Sequence, residues 1–123
     1  MRAKDRTGLL GEEKAAEHLV QQGHRILERR WRTRAGELDL ITVDGRELVA
    51  VEVKTRRGIG YGHPFEAITE QKLLRLRRLL NEYAAEHRMR LTRRRIDAVA
   101  VILQRNHRST EPEAVLEHLK DLS

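Results

Sequence analysis

The chain has 123 residues, with 25 Lys plus Arg against 19 Asp plus Glu, a formal charge of +6 and a sequence isoelectric point near 10.3. The absence of cysteine excludes disulfides and thiolate metal sites, and residues 1–23 lack the long apolar run of a signal peptide or membrane span. The expectation is a single domain, residues 1–123, that is cytoplasmic, makes no use of a membrane and favours polyanionic partners.

Gly8 to Gln22 reads as a helix, with Thr7 as N-cap and Gly23 as the C-terminal stop. At about 100° per residue, Glu12 falls on the inward stripe with Gly8, Ala15, Ala16 and Leu19, while Glu17 points away. Glu12 is therefore either a carboxylate aimed at the sheet or an acid favoured by the helix dipole. His24 to Arg32 supplies a mixed strand in which Trp31, surrounded by arginines, serves packing or stacks on a base.

Residues 36–43 and 47–55 alternate in polarity around Asp44-Gly45, a strong hairpin signal. A two-residue Asp-Gly loop would pair Val43 with Arg46, Asp39 with Ala50 and Glu37 with Glu52. Glu37, Asp39, Glu52 and Lys54 then share one face, and Leu38, Leu40, Val49, Val51 and Val53 the other. Three carboxylates on neighbouring strands repel one another and lose hydration, costs that a hard cation offsets. Mg²⁺ suits such a site, because it is held by one or two carboxylates, water and substrate phosphate oxygens. The competing reading is a solvated sheet face with an ordinary Glu–Lys ion pair.

Arg57 to Pro64 carries glycine at every second position from Gly58 to Gly62 and reads as a mobile loop able to close over substrate, without the context of a dinucleotide or P-loop motif. Between Thr69 and His87, Leu73, Leu76, Leu80, Tyr83 and His87 share a helical stripe, with Thr69 as cap and Arg75 and Arg78 outward. Ile96 to Leu103 is a nearly continuous apolar run, a strand covered on both faces, in which Asp97 is ambiguous. Glu113 to Leu122 is periodic enough for a helix, although Val115-Leu116 also suits an edge strand. The order helix, three strands, helix, strand predicts an α/β fold with a mixed sheet flanked by helices.

Arginine clusters at 29–34, 56–57, 75–78 and 93–95 recur beside successive elements. Each by itself is compatible with a solvated surface; together with a carboxylate site they favour nucleic acid, with Arg32, Arg34, Arg56 and Arg57 as candidate contacts.

Several segments carry a family resemblance. They are Gly8-Leu9-Leu10-Gly11-Glu12 with Ala15 and Leu19, Gly23-His24-Arg25-Ile26-Leu27, Gly36-Glu37-Leu38-Asp39-Leu40-Ile41, Val51-Glu52-Val53-Lys54-Thr55-Arg56, Gly62-His63-Pro64 with Ala67, Lys72, and Ile96-Asp97-Ala98-Val99. Together they resemble the YraN-like family (UPF0102) of the PD-(D/E)xK nuclease superfamily, which is similar to archaeal Holliday-junction resolvases. The resemblance implies a restriction-endonuclease-like fold with an α-β-β-β-α-β core and a strand, not a helix, at 113–119. It implies Asp39 and Glu52 as ligands of Mg²⁺ or Mn²⁺, and Lys54 orienting the attacking water or stabilising phosphorane charge. Glu12 would complete the acidic site, Glu37 would support it or bind a second ion, and Gln71 would be a polar helix position that aids catalysis. The implied protein is a Mg²⁺-dependent endodeoxyribonuclease, homodimeric, acting on branched or otherwise structured DNA. The alternative is a non-catalytic nucleic-acid-binding protein that keeps the fold.

Overall fold

The computed structural model describes residues 3–58, 62–90, 93–105, 108, 110 and 112–123. Helix α1 (Ala3–Gln21) is followed by strands β1 (Arg25–Thr33), β2 (Gly36–Asp44) and β3 (Glu47–Arg57), a short 3-10 helix (Pro64–Ala67), helix α2 (Glu70–Glu86), and strands β4 (Arg93–Gln104) and β5 (Glu113–Leu119). The strands form one sheet in the order β1-β2-β3-β4-β5. Tight turns make β1, β2 and β3 antiparallel, whereas α2 is the crossover that lets β4 lie parallel to β3. The expected α-β-β-β-α-β order is the observed one. Among the described residues, no helix is long and apolar enough to cross a membrane.

The two helices cover opposite faces, which is why β3 and β4 are apolar on both sides. Ala15, Ala16 and Leu19 of α1 pack on Val49, Val51, Val99 and Val101, while Leu76, Leu79, Leu80 and Tyr83 of α2 pack on Ile41, Leu48, Ala50 and Ile96. Gly11 explains how close α1 comes: a Cβ there would overlap Thr55 of β3.

Four expectations need correction or completion. Helix α1 begins at Ala3, so Thr7 lies inside it and is not the cap; Asp5 sits in the first turn, where the helix dipole favours an acid. Instead, the Thr7 hydroxyl accepts a hydrogen bond from Arg57 Nε at 2.8 Å. The hairpin pairs Asp44 with Glu47 and Val43 with Leu48, two residues away from the predicted partners, because Gly45 at φ +62° takes the first loop position and Arg46 the second. Residues 113–119 form a strand, with exposure alternating at period two, antiparallel to β4. As an edge, the apolar β4 would leave a row of backbone donors and acceptors unpaired, and β5 satisfies them. The glycine-rich loop expected at 57–64 centres on residues 59–61, which lie outside the described residues.

Candidate active site

Strands β2 and β3 pair from Asp44↔Glu47 to Leu40↔Val51, and one step further Asp39 stands opposite Glu52. There the backbone ladder gives way to a side chain: Val53 N–H donates to Asp39 Oδ2 at 2.8 Å. The neighbouring strand is irregular at the same level. Arg30 of β1 adopts φ +52° between the pairs Arg29↔Leu40 and Trp31↔Leu38. At this level the alternation of faces breaks in both strands: Leu38 and Trp31 lie on the α2 side while Leu40 remains on the α1 side. The expectation that Leu38 shares a face with Leu40 is thus corrected. Trp31 is half-buried, edge-on to Tyr83 at 5.2 Å.

Asp39 and Glu52 form an acidic pair across the two strands. Burial, then the neighbouring Glu52 carboxylate and the hydrogen bond to it, push Asp39 up to about 8 against the opposing Val53 N–H. Glu52, with a side chain 10 % exposed, faces two ammonium groups: Lys72 Nζ at 3.5 Å and Lys54 Nζ at 3.9 Å. Lys54 is held below the ordinary lysine range by burial and by Lys72 beside it, more than Glu52 pulls it back. The sequence pointed to Lys54 as the ammonium of this face. Lys72 joins it from the first turn of α2, where Thr69 Oγ1 caps the helix by accepting from Lys72 N at 3.1 Å. Lys72 was among the residues that carry the family resemblance, but nothing local in the sequence gave it Glu52 as a partner. Gln71 itself is exposed.

The remaining acids divide among arginines. Glu12 reaches β1, where Arg30 grips it with Nε to Oε2 at 2.7 Å and Nη2 to Oε1 at 3.3 Å. Its charge still helps raise Asp39. Glu37 is turned to Arg32 at 3.3 Å. Of the candidate nucleic-acid contacts, Arg32, Arg34 and Arg57 are exposed and Arg56 is half-buried, its Nη1 donating to Thr55 O at 3.2 Å. The expected convergence of Glu37 with Asp39 and Glu52 therefore reduces to a pair of carboxyls and a pair of lysines. Among the described residues, no group of three or more His, Asp or Glu is arranged to hold a metal ion. The pair nevertheless suits a hard divalent cation: both groups offer oxygen, and a cation offsets the burial and the Glu52 repulsion that together raise Asp39.

Asp97 belongs to a different centre. It is fully buried. His118 Nε2 donates to it at 2.8 Å, Arg95 Nε at 2.9 Å and Asp121 N at 3.0 Å. Burial alone would raise this carboxyl, but these donors hold it at about 2. Arg95 also bonds Asp44 at 2.8 Å and Glu47 at 3.3 Å, clamping the hairpin turn to β4. His24 adds Nδ1 to Thr42 Oγ1 at 2.8 Å, while its Nε2 stops 3.5 Å from Asp44.

The family model described as "Uncharacterised protein family UPF0102" matches residues 11–101. A UPF0102 protein of Paenarthrobacter aurescens (strain TC1) is 48 % identical over 120 residues, covering 98 % of this chain and 95 % of its own. One from Arthrobacter sp. (strain FB24) is 51 % identical over 102 residues, covering 83 % and 86 %. A third, from Rhodococcus opacus (strain B4), is 44 % identical over 114 residues, covering 93 % and 92 %.

Proposed function

The chain belongs to the UPF0102 family, and we propose that it is a Mg²⁺- or Mn²⁺-dependent endonuclease-like enzyme that hydrolyses DNA phosphodiester bonds, with branched or structured DNA as the substrate. The observation that carries this reading is the Asp39–Glu52 pair, in which one carboxyl keeps a proton to about pH 8 beside two lysines. Clustered titratable groups driven this far from their ordinary values are a mark of functional sites. The resemblance to PD-(D/E)xK nucleases supports the same assignment.

Asp39 and Glu52 would hold the cation, with Glu12 as a third oxygen donor. The bound ion would supply charge neutralisation at the phosphoryl oxygens and lower the pKa of water. Lys54, packed beside Glu52, orients the attacking water and stabilises the charge that grows on the phosphoryl group. Lys72 keeps Glu52 turned toward the site. Arg32, Arg34, Arg56 and Arg57 contact backbone phosphates and supply affinity with little sequence preference. Resolvase similarity supports a homodimer, and a DNA substrate supports a cytoplasmic setting.

The test is a cleavage screen over duplex, single-stranded, flap, fork and four-way DNA with Mg²⁺ or Mn²⁺ against EDTA. Metal-dependent cleavage that disappears in Lys54→Ala is the expected result. DNA binding without cleavage of any substrate favours the non-catalytic binding protein.

A further inference from the structure

Arg30 occupies a conformation that a strand arginine ordinarily avoids. Among the described residues, the non-glycine residues with positive φ are Arg30, Arg88 and Asp121; the last two follow the ends of α2 and β5, whereas Arg30 lies inside β1. Strain of this kind persists only where its surroundings enforce it, and it concentrates at functional sites. Here the distortion turns the guanidinium onto Glu12, and the side-on fork of 2.7 and 3.3 Å engages both carboxylate oxygens. Glu37 and Asp39 lie within electrostatic reach of the same guanidinium. The contact is not sealed: the Arg30 side chain is 39 % exposed and Glu12 17 %. A ligand arriving from solvent meets Arg30 first.

Resting on the nuclease reading above, we propose that Arg30 is a positioning residue that latches Glu12 in the free protein and exchanges it for a DNA phosphate on binding, freeing Glu12 to join Asp39 and Glu52 toward the cation. The guanidinium fork matches phosphate as well as carboxylate, so the exchange replaces one charge-assisted pair with another. The latch also accounts for why only two carboxyls face each other: the third is neutralised. Releasing it adds a negative charge near Asp39 and raises the affinity for a cation. By linkage, DNA and cation then strengthen each other's binding.

The measurement is calorimetric titration of Mn²⁺ into wild type, Arg30→Asn, Arg30→Gly, Glu12→Gln and the double variant Arg30→Asn/Glu12→Gln, at fixed ionic strength. Asn and Gly both accept left-handed backbone, so the fold should persist, with melting temperature as the check. Both Arg30 variants should bind Mn²⁺ roughly 3- to 10-fold tighter than wild type, the scale of a partly exposed ion pair, and Glu12→Gln should erase the gain. A short duplex with phosphorothioate linkages, blanked against duplex alone, should raise the Mn²⁺ affinity of wild type by a similar factor and leave Arg30→Asn unmoved. Equal Mn²⁺ affinity in wild type and both Arg30 variants, with Asp39→Asn weakening all of them, refutes the latch and leaves the metal reading standing. A duplex that tightens every variant equally refutes the exchange. No Mn²⁺ binding by any variant refutes the latch and the metal reading together.

Discussion

Asp39→Asn replaces a carboxyl that the fold keeps protonated with its neutral isostere, and the stability of the protein should record the difference. In the unfolded chain this group ionises near its ordinary value of 3.8, and in the fold at about 8. Between those values folding takes up a proton, so stability is fully present below 3.8 and falls as pH rises toward 8. The slope is at most about 1.4 kcal/mol per pH unit. Water access to the site reduces the total, leaving a gain for Asp39→Asn on the order of 1–2 kcal/mol at pH 8 and little near pH 4. For a chain of this size that is roughly 3–6 °C in melting temperature per kcal/mol. The Asn carbonyl still accepts from Val53 N–H. Glu52→Gln should not share the benefit, because it leaves Lys72 and Lys54, now 3.5 and 3.9 Å from Glu52, without their counter-charge. Unfolding would be followed from about pH 4.5 to 8.5 in EDTA, then across a Mg²⁺ or Mn²⁺ titration at fixed ionic strength. Metal should stabilise wild type more than Asp39→Asn, since a ligand adds stability only through binding to the native state. A mutant less stable than wild type at pH 8 in EDTA, with the same pH slope and the same response to metal, would mean that Asp39 is an ionised structural partner and that the pair is no metal site.

Lys54→Ala should abolish cleavage while duplex binding at low salt, read by fluorescence anisotropy, stays within about threefold, because phosphate affinity comes from the arginines; parallel loss of both would contradict that division. Asp97→Ala should cost about 3–5 kcal/mol in urea unfolding, since it leaves buried Arg95 without its fully buried partner. Held at about 2 against an ordinary 3.8, Asp97 stabilises the wild type fully above that ordinary value and progressively less as pH falls toward 2, so wild type and mutant curves should converge in acid. Gly8→Ala and Gly11→Ala should have opposite signs. The first meets open space and gains up to about 1 kcal/mol of helix propensity, whereas the second overlaps Thr55 and should lose about 2 kcal/mol or more; melting temperatures that rise for both would show that α1 can move away from β3.

The elements that were legible in the sequence are those whose signal is local. Alternation on either side of Asp44-Gly45, the stripe from Leu73 to Tyr83 and the apolar run from Ile96 each depend on neighbours along the chain, and each became the predicted element. The grouping of Asp39, Glu52 and Lys54 survived even though the register did not, because an error of two residues in pairing does not by itself change the face a side chain takes. Residues 113–119 fit two periodicities; the family resemblance favoured the strand, and pairing with the open edge of β4 is what makes it one. The charge partners were beyond sequence reasoning. Glu12 finds Arg30 across 18 positions and Arg95 finds Asp44 across 51. Lys72 reaches Glu52 only because the crossover brings the first turn of α2 back beside the middle of β3. Composition supplied enough bases to neutralise every acid, but which base meets which acid is set by where the chain returns in space. That return, together with the pairing of Glu37 with Arg32, left two carboxyls facing each other where the alternating pattern had promised three.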